Sequence, residues 1–186
     1  SMAGLSAAGV TLGGISPAQS ATPTCTTATS VLNFIPPTHH AAIKSGTSQY
    51  DCANAIRSAL TATKGGPLHF PAGRYIIGSS IKMRADDSSA AFGPGPWIVG
   101  DGTDRTIFEN RATNGAMFDI DSNVDHATRF VGVLGVRLEG FTVHGRGLRG
   151  TTALRLRTSY NAKLLQLRIV AQGGDGIRIP CVVGDN

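Results

Sequence analysis

Asp119 and Asp121 stand two residues apart, with Asp125 following closely. Hydrolysis of a glycosidic bond needs two carboxyl groups about 5–9 Å apart, one to protonate the leaving oxygen and one to act as base or nucleophile. Asp119 lies between Phe118 and Ile120. In a strand that alternation turns the apolar pair inward and the aspartate outward. Asp121 has the same parity and would sit about 6–7 Å further along. The two are therefore the catalytic candidates. A plainer role competes with this one. Asp121-Ser122-Asn123 is good turn chemistry, and acids on a sheet surface are commonly solvated or paired with arginine.

Two arginines carry the binding candidates. If the strand holding Asp119 stacks beside Leu154-Arg155-Leu156, and that beside Ile177-Arg178-Ile179, then Asp119, Arg155 and Arg178 form an outward ladder with a step of about 4.8 Å. Asp119 and Arg155 would make an ordinary cross-strand ion pair. Arg155 over Arg178 would repel unless an anion bridged them, and the carboxylate of a uronate or sialate suits two guanidinium forks. Lyase chemistry needs instead a base for the proton beside a uronate carboxylate and a cation for the enolate. His144, Tyr160 and Lys163 lie near the basic segments, but nothing in their spacing draws them to one point. Gly100-Asp101-Gly102-Thr103 and Gly173-Gly174-Asp175-Gly176 lack the Gly-Lys-Ser/Thr continuation of a phosphate loop and read as turns. His39-His40 has no second ligand pair, so packing or solvation is expected there and no metal. Cys25, Cys52 and Cys181 are widely spaced. Free thiols are the default, with a Cys52–Cys181 or Cys25–Cys52 disulfide open in an oxidising compartment.

The elements that must position these groups are mostly short strands. Asn33-Phe34-Ile35-Pro36-Pro37 reads as a rigid extended segment, because each proline fixes its own φ and biases its predecessor away from helix. His39–Lys44 predicts one helical turn, stopped near Gly46. Asp51 is a good N-cap for a helix over Asp51–Thr63, with Cys52, Ile56, Leu60, Ala55 and Ala59 on one face and Gly65-Gly66 at its end. Beyond Gly66 the pattern switches to period two. Strands of three to six residues are separated by Gly, Asn, Asp and Ser. Leu138–Val143 aligns with Leu164–Ile169 at an offset of 26, and Leu154–Leu156 with Ile177–Ile179 at an offset of 23. A period in the twenties with two or three short strands marks a solenoid whose coils stack. Its end must be covered, and the Asp51–Thr63 helix is the natural cap.

With 186 residues the chain can build a real core. Its 24 glycines and 16% charged residues suit a turn-rich sheet protein better than a helical one. Charge is uneven. No Lys, Arg, Asp or Glu precedes Lys44; His126 to Asn186 holds nine basic and three acidic residues. That basic half would face an acidic partner, or be a solvated surface balanced elsewhere. It lacks interleaved aromatics, so nucleic-acid binding is not expected. No segment approaches 18 apolar residues, so no membrane insertion is expected. Residues 1–30 read as a flexible leader, either a signal remnant or a linker arm.

The run Phe34-Ile35-Pro36, His40-Ala41-Ala42-Ile43, Tyr50-Asp51-Cys52, Ala55-Ile56, Ala59-Leu60, Phe70-Pro71-Ala72-Gly73-Arg74-Tyr75 and Gly100-Asp101-Gly102 resembles the N-terminal region of pectate-lyase-like β-helix proteins. The likeness is nearest to phage tailspikes and capsule depolymerases. It covers roughly residues 31–175. It implies an all-β fold, a right-handed parallel β-helix (solenoid) with an N-terminal capping α-helix, here truncated. Residues 31–66 would be the lead-in and cap, and 67–186 the first coils. It further implies a trimer, secreted or carried on a virion tail, that binds or degrades an acidic polysaccharide. No cofactor is expected, save a calcium ion should the parent be a lyase. One fold hosts lyases, hydrolases and pure binders, so the reaction does not follow. The paired aspartates and Gly-His-Gly of polygalacturonases are absent from the segment, which either weakens a pectinase reading or places its site beyond Asn186. An exported pectate-lyase-like enzyme and a non-catalytic adhesion or assembly module remain the alternatives.

Overall fold

The computed structural model describes residues 28–84, 92–121, 132–157 and 159–180. The described chain is built mainly from parallel strands with few helices. After β1 (Thr29–Ser30) come two 3-10 turns, then α1 (His40–Ser45) and α2 (Ala53–Thr63). The strands follow as β2 (Pro67–Phe70), β3 (Gly73–Ile77), β4 (Ile81–Arg84) and β5 (Phe92–Pro94). Next are β6 (Trp97–Gly100), β7 (Thr106–Asn110), β8 (Gly115–Asp121) and β9 (Gly132–Leu134). The last are β10 (Arg137–His144), β11 (Thr151–Leu156), β12 (Ser159–Tyr160), β13 (Lys163–Val170) and β14 (Ile177–Arg178).

The strands sort into three sheets. The first runs β1-β2-β6-β10-β7-β3, with β13 also on β10. The second runs β4-β8-β11-β14, and the third β12-β9-β5. Each pass of the chain thus lays new strands beside those of the previous pass. β10 spans two neighbours: Arg137–Glu139 pair with Trp97–Val99, and Thr142–His144 pair with Ile107–Glu109. The expected alignments at offsets of 26 and 23 are true registers, Leu138 on Leu164 and Leu154 on Ile177. The earlier passes are longer. Leu68 pairs Ile98 and Ile98 pairs Leu138, at offsets of 30 and 40.

Period-two alternation puts one side chain of each pair inside. Leu68, Ile98 and Leu138 are fully buried in one row, and Ile81, Phe118 and Leu154 in another. At the centre, Phe108 meets Phe70 and Phe141 edge-on with ring centroids 4.9 Å apart in each case. Such pairs add about 0.5–1.5 kcal/mol each beyond their buried area. In the final row the cover thins: Ile177 is 41% exposed where its partner Leu154 is 0%.

The helical segment is shifted slightly from expectation. α1 ends on Gly46 at φ +76°, a left-handed stop suited to glycine. α2 begins at Ala53, not Asp51, and Asp51 caps it from outside. Its Oδ1 accepts from Ala53 N and Gly78 N, each at 2.9 Å. That one carboxylate ties the helix start to the end of β3. The helix ends on Lys64 at φ +46°, one residue before the expected Gly65. Its buried face, Ala53, Ala55, Ile56 and Ala59, joins the common core, as a cap requires. Most of the proposed 1–30 leader lies outside the described residues, but Thr29–Ser30 is a strand pairing Leu68 and His69.

Cys52 is free and buried, while Cys25 and Cys181 lie outside the described residues. Burial pushes its thiol up to about 12, opposed by a hydrogen bond to the Ile76 backbone and reinforced by the negative charge of Asp51. At pH 8 only about one thiol in ten thousand would then be ionised, and the thiolate is the nucleophile. Iodoacetamide at pH 8 should leave the Cys52 peptide unmodified in native protein and alkylate it in urea, read by peptide mass. Equal labelling in both states would refute the buried placement.

Candidate functional site

The second sheet carries an outward row in register. Lys82 on β4 pairs Asp119 on β8, Asp119 pairs Arg155 on β11, and Arg155 pairs Arg178 on β14. The inward neighbours Ile81, Phe118, Ile120, Leu154 and Leu156 belong to the core, which fixes the parity of the row. Steps of about 4.8 Å separate the backbones of successive rungs. The expected ladder of Asp119, Arg155 and Arg178 is present, and Lys82 extends it.

Asp119 is held rather than free. Arg155 donates from Nε to Oδ1 at 2.7 Å and from Nη2 to Oδ2 at 2.5 Å, a bidentate fork. The hydrogen bond to Asp119 raises the Arg155 pKa, against the opposing effect of its partial burial. Although it faces outward, Asp119 is only 3% exposed because the guanidinium lies on it. Asp121 pairs with Arg157 more loosely, Oδ2 to Nη1 at 3.5 Å. Both acids are thereby committed to arginine partners within the sheet. Asp125 and the Ser122-Asn123 turn lie outside the described residues. Arg178 differs from Arg155. Its Nε is 3.9 Å from Asp175, and both side chains are more than half exposed. With Lys82, whose side chain is exposed, Arg178 carries the charge that the ladder's close pairs leave over.

The three base candidates are dispersed. His144 ends β10 in the first sheet, beside Glu109. Tyr160 is in β12 of the third sheet, and Lys163 opens β13 beside Arg137. The glycine-rich runs are corners, as expected. Asp101 accepts from Ala72 N at 2.8 Å and pairs with His69 Nε2 at 2.7 Å. Desolvation raises its pKa, but these two hydrogen bonds together with the charges of His69 and Arg105 outweigh it, and the net direction is down. His39 stacks on Tyr50 at 4.2 Å, and His40 Nε2 lies 2.8 Å from the Ile35 carbonyl, so both are packing residues. Among the described residues no group of three His, Cys, Asp or Glu side chains is placed to hold a metal ion. No described helix is long and apolar enough to cross a membrane.

Sequence reasoning missed one charged centre. Glu109, only 2% exposed, receives Arg74, Arg111 Nε at 2.5 Å and Arg146 Nη1 at 3.3 Å. Arg111 also donates to Gln49 at 2.9 Å. Three guanidiniums on one carboxylate leave a basic surface around it. The available signal was the outward parity of Glu109 after Ile107, with Arg111 two residues on.

No family model matches the chain, and no curated protein matches it. One solved structure, from Geobacillus virus E2 (ORF18), is similar over 76% of this chain and 27% of that one, at 18% identity and a TM-score of 0.47. The chain thus spans about a quarter of the length of that protein.

Proposed function

We propose that this chain is the N-terminal part of a right-handed parallel β-helix that holds an acidic polysaccharide along its lateral face, as part of a tailspike-type depolymerase or related lyase or hydrolase. The observation that carries the reading is the in-register row Lys82–Asp119–Arg155–Arg178. A stacked sheet presents side chains at fixed spacing, and a polysaccharide presents its carboxylates at fixed spacing. The two Arg–carboxylate pairs on this face are satisfied internally, so they stiffen the surface. Arg178 and Lys82 remain to meet an external carboxylate, the first through a planar fork and the second as a point charge. The pairing of Asp119 and Asp121 with arginines favours binding over bond cleavage in this part of the protein. A location outside the cell or on a virion follows from such a substrate.

The test is a panel of polygalacturonate, alginate, colominic acid and neutral dextran. Retention would be read by affinity electrophoresis, with reducing ends and the ultraviolet absorbance of unsaturated uronate followed together. The expected result is retention by at least one acidic polymer, none by dextran, and no new reducing ends. Reducing ends with the absorbance would make the chain itself a lyase, and without it a hydrolase. Either would overturn the structural, arginine-paired role given to Asp119 and Asp121. No retention by any acidic polymer would overturn the binding reading.

A further inference from the structure

The first sheet carries a second row, distinct from the ladder: Pro67, Trp97, Arg137 and Lys163 are register partners on β2, β6, β10 and β13. Beside it is a cleft of about 530 Å³, lined by Gly65, Trp97, Gly135, Arg137, Asn161 and Lys163, with Ala162 between the last two. Ligand clefts commonly fall in the range of about 300–1,000 Å³. The Arg137 guanidinium lies over the Trp97 ring, 4.9 Å from its centroid. Glu139 holds that guanidinium in place, accepting from Nε at 2.9 Å with Nη2 at 2.7 Å. The arginine is thus neutralised and fixed, and forms a flat wall with the indole.

Lys163 is exposed and makes no ion pair among the described residues, so it is the charge the cleft has to offer. The Asn161 amide adds a donor and an acceptor. Trp97 Nε1 is enclosed and has no acceptor among the described residues, which is unfavourable for a buried donor. A wall of aromatic and guanidinium, one unmatched ammonium and a side-chain amide are what a sugar ring bearing a carboxylate requires. The ring's apolar face has a surface to lie against, its hydroxyls have an amide, and its carboxylate has a counter-ion.

Building on the polysaccharide reading above, we infer that this cleft is a separate subsite for one uronate unit of an acidic glycan, with Lys163 as the carboxylate partner. Trp97 is the sole tryptophan of the chain and reports on the cleft alone. The full chain would be titrated with sodium glucuronate, glucose and sodium acetate at constant ionic strength, following tryptophan emission, with saturation-transfer NMR of the sugar as a second readout. Saturable glucuronate binding is expected on the order of millimolar affinity, with Lys163→Gln weakening it about tenfold or more. Glucose and acetate should not saturate. Absence of glucuronate binding by both readouts, an equal response to acetate, or unchanged affinity in K163Q would overturn the inference. The polymer panel separates this from the ladder. Acidic polymer retained without glucuronate binding removes the cleft alone. Glucuronate bound at Trp97 without polymer retention supports the cleft and removes the ladder reading.

Discussion

Replacing Glu109 by Gln should lower stability by about 2–3 kcal/mol, read as the urea midpoint at constant slope. Glu109 is buried to 2% and neutralises Arg74, Arg111 and Arg146, whose side chains are 37%, 29% and 51% exposed. Removing one partner of a buried ion pair costs about 3–5 kcal/mol, because the remaining charge loses both water and its counter-ion. Here the stranded charges keep part of their hydration, so the estimate sits below that range. The amide is nearly isosteric, so little of the loss would be packing. High salt should recover some of it, since the residual repulsion among three guanidiniums is partly solvent-accessible. A second change, Arg146→Gln on the Glu109→Gln background, should be less harmful than on the native background, because it removes one of the repelling charges. If E109Q melts like the native chain, or if the two changes simply add, the arginines are not organised by this carboxylate.

Gly140→Ala should cost about 3 kcal/mol or more, a fall in Tm of roughly 6–12 °C for a chain of this size. Two effects add. Gly140 has φ +71°, where an alanine is strained. A Cβ there would also stand 2.7 Å from the Gly100 carbonyl oxygen. The neighbour is backbone, so no rotamer change relieves the contact. The clash is mutual, because a Cβ at Gly100 would meet the Gly140 carbonyl at 2.4 Å. The two glycines let successive passes approach at the bend midway along β10. Gly147→Ala is the control. Its φ is +69°, but nothing lies within 4 Å of the added carbon, so only the backbone cost of about 1 kcal/mol should appear. Equal melting points for G140A and G147A would show that the close approach is not there.

The repeat was legible only where the passes are short. The alignments of Leu138 with Leu164 and Leu154 with Ile177 are registers because little chain intervenes between those strands. The earlier passes hold more residues, with offsets of 30 and 40, which hides the same stacking from a fixed-period search. The third sheet left almost no signal. β5, β9 and β12 have two or three residues each, and Phe92-Gly93-Pro94 and Gly132-Val133-Leu134 read as turn material because glycine and proline ordinarily end strands. Gly140, at φ +71°, interrupts the alternation of β10, so period-two patterning alone divides a strand that is continuous. The chain bends there without leaving the sheet.

Of the candidate site, the Asp119–Arg155–Arg178 order was legible because it needs only strand parity and one stacking rule. The burial of Asp119 was not. Parity says which way a side chain points, not what lies over it, and the cover comes from an arginine 36 residues away. Glu109 escaped for the same reason, since Arg74 and Arg146 lie far from it in sequence. Lys82 and the Trp97 cleft needed registers between passes that a single period does not supply.

The proposed acidic polymer would be held by Lys82 and by Arg178, whose ion pair to Asp175 is long and exposed. The most direct test is affinity electrophoresis of the native chain and of the double variant Lys82→Ala, Arg178→Ala on the acidic polysaccharide that retains the native chain. Weakening of at least about tenfold is expected, because one charge-assisted hydrogen bond is worth about 1.5–3 kcal/mol. Both side chains are surface residues, so the melting point should hold. Retention unchanged from the native chain, in a variant that is still folded, would contradict it.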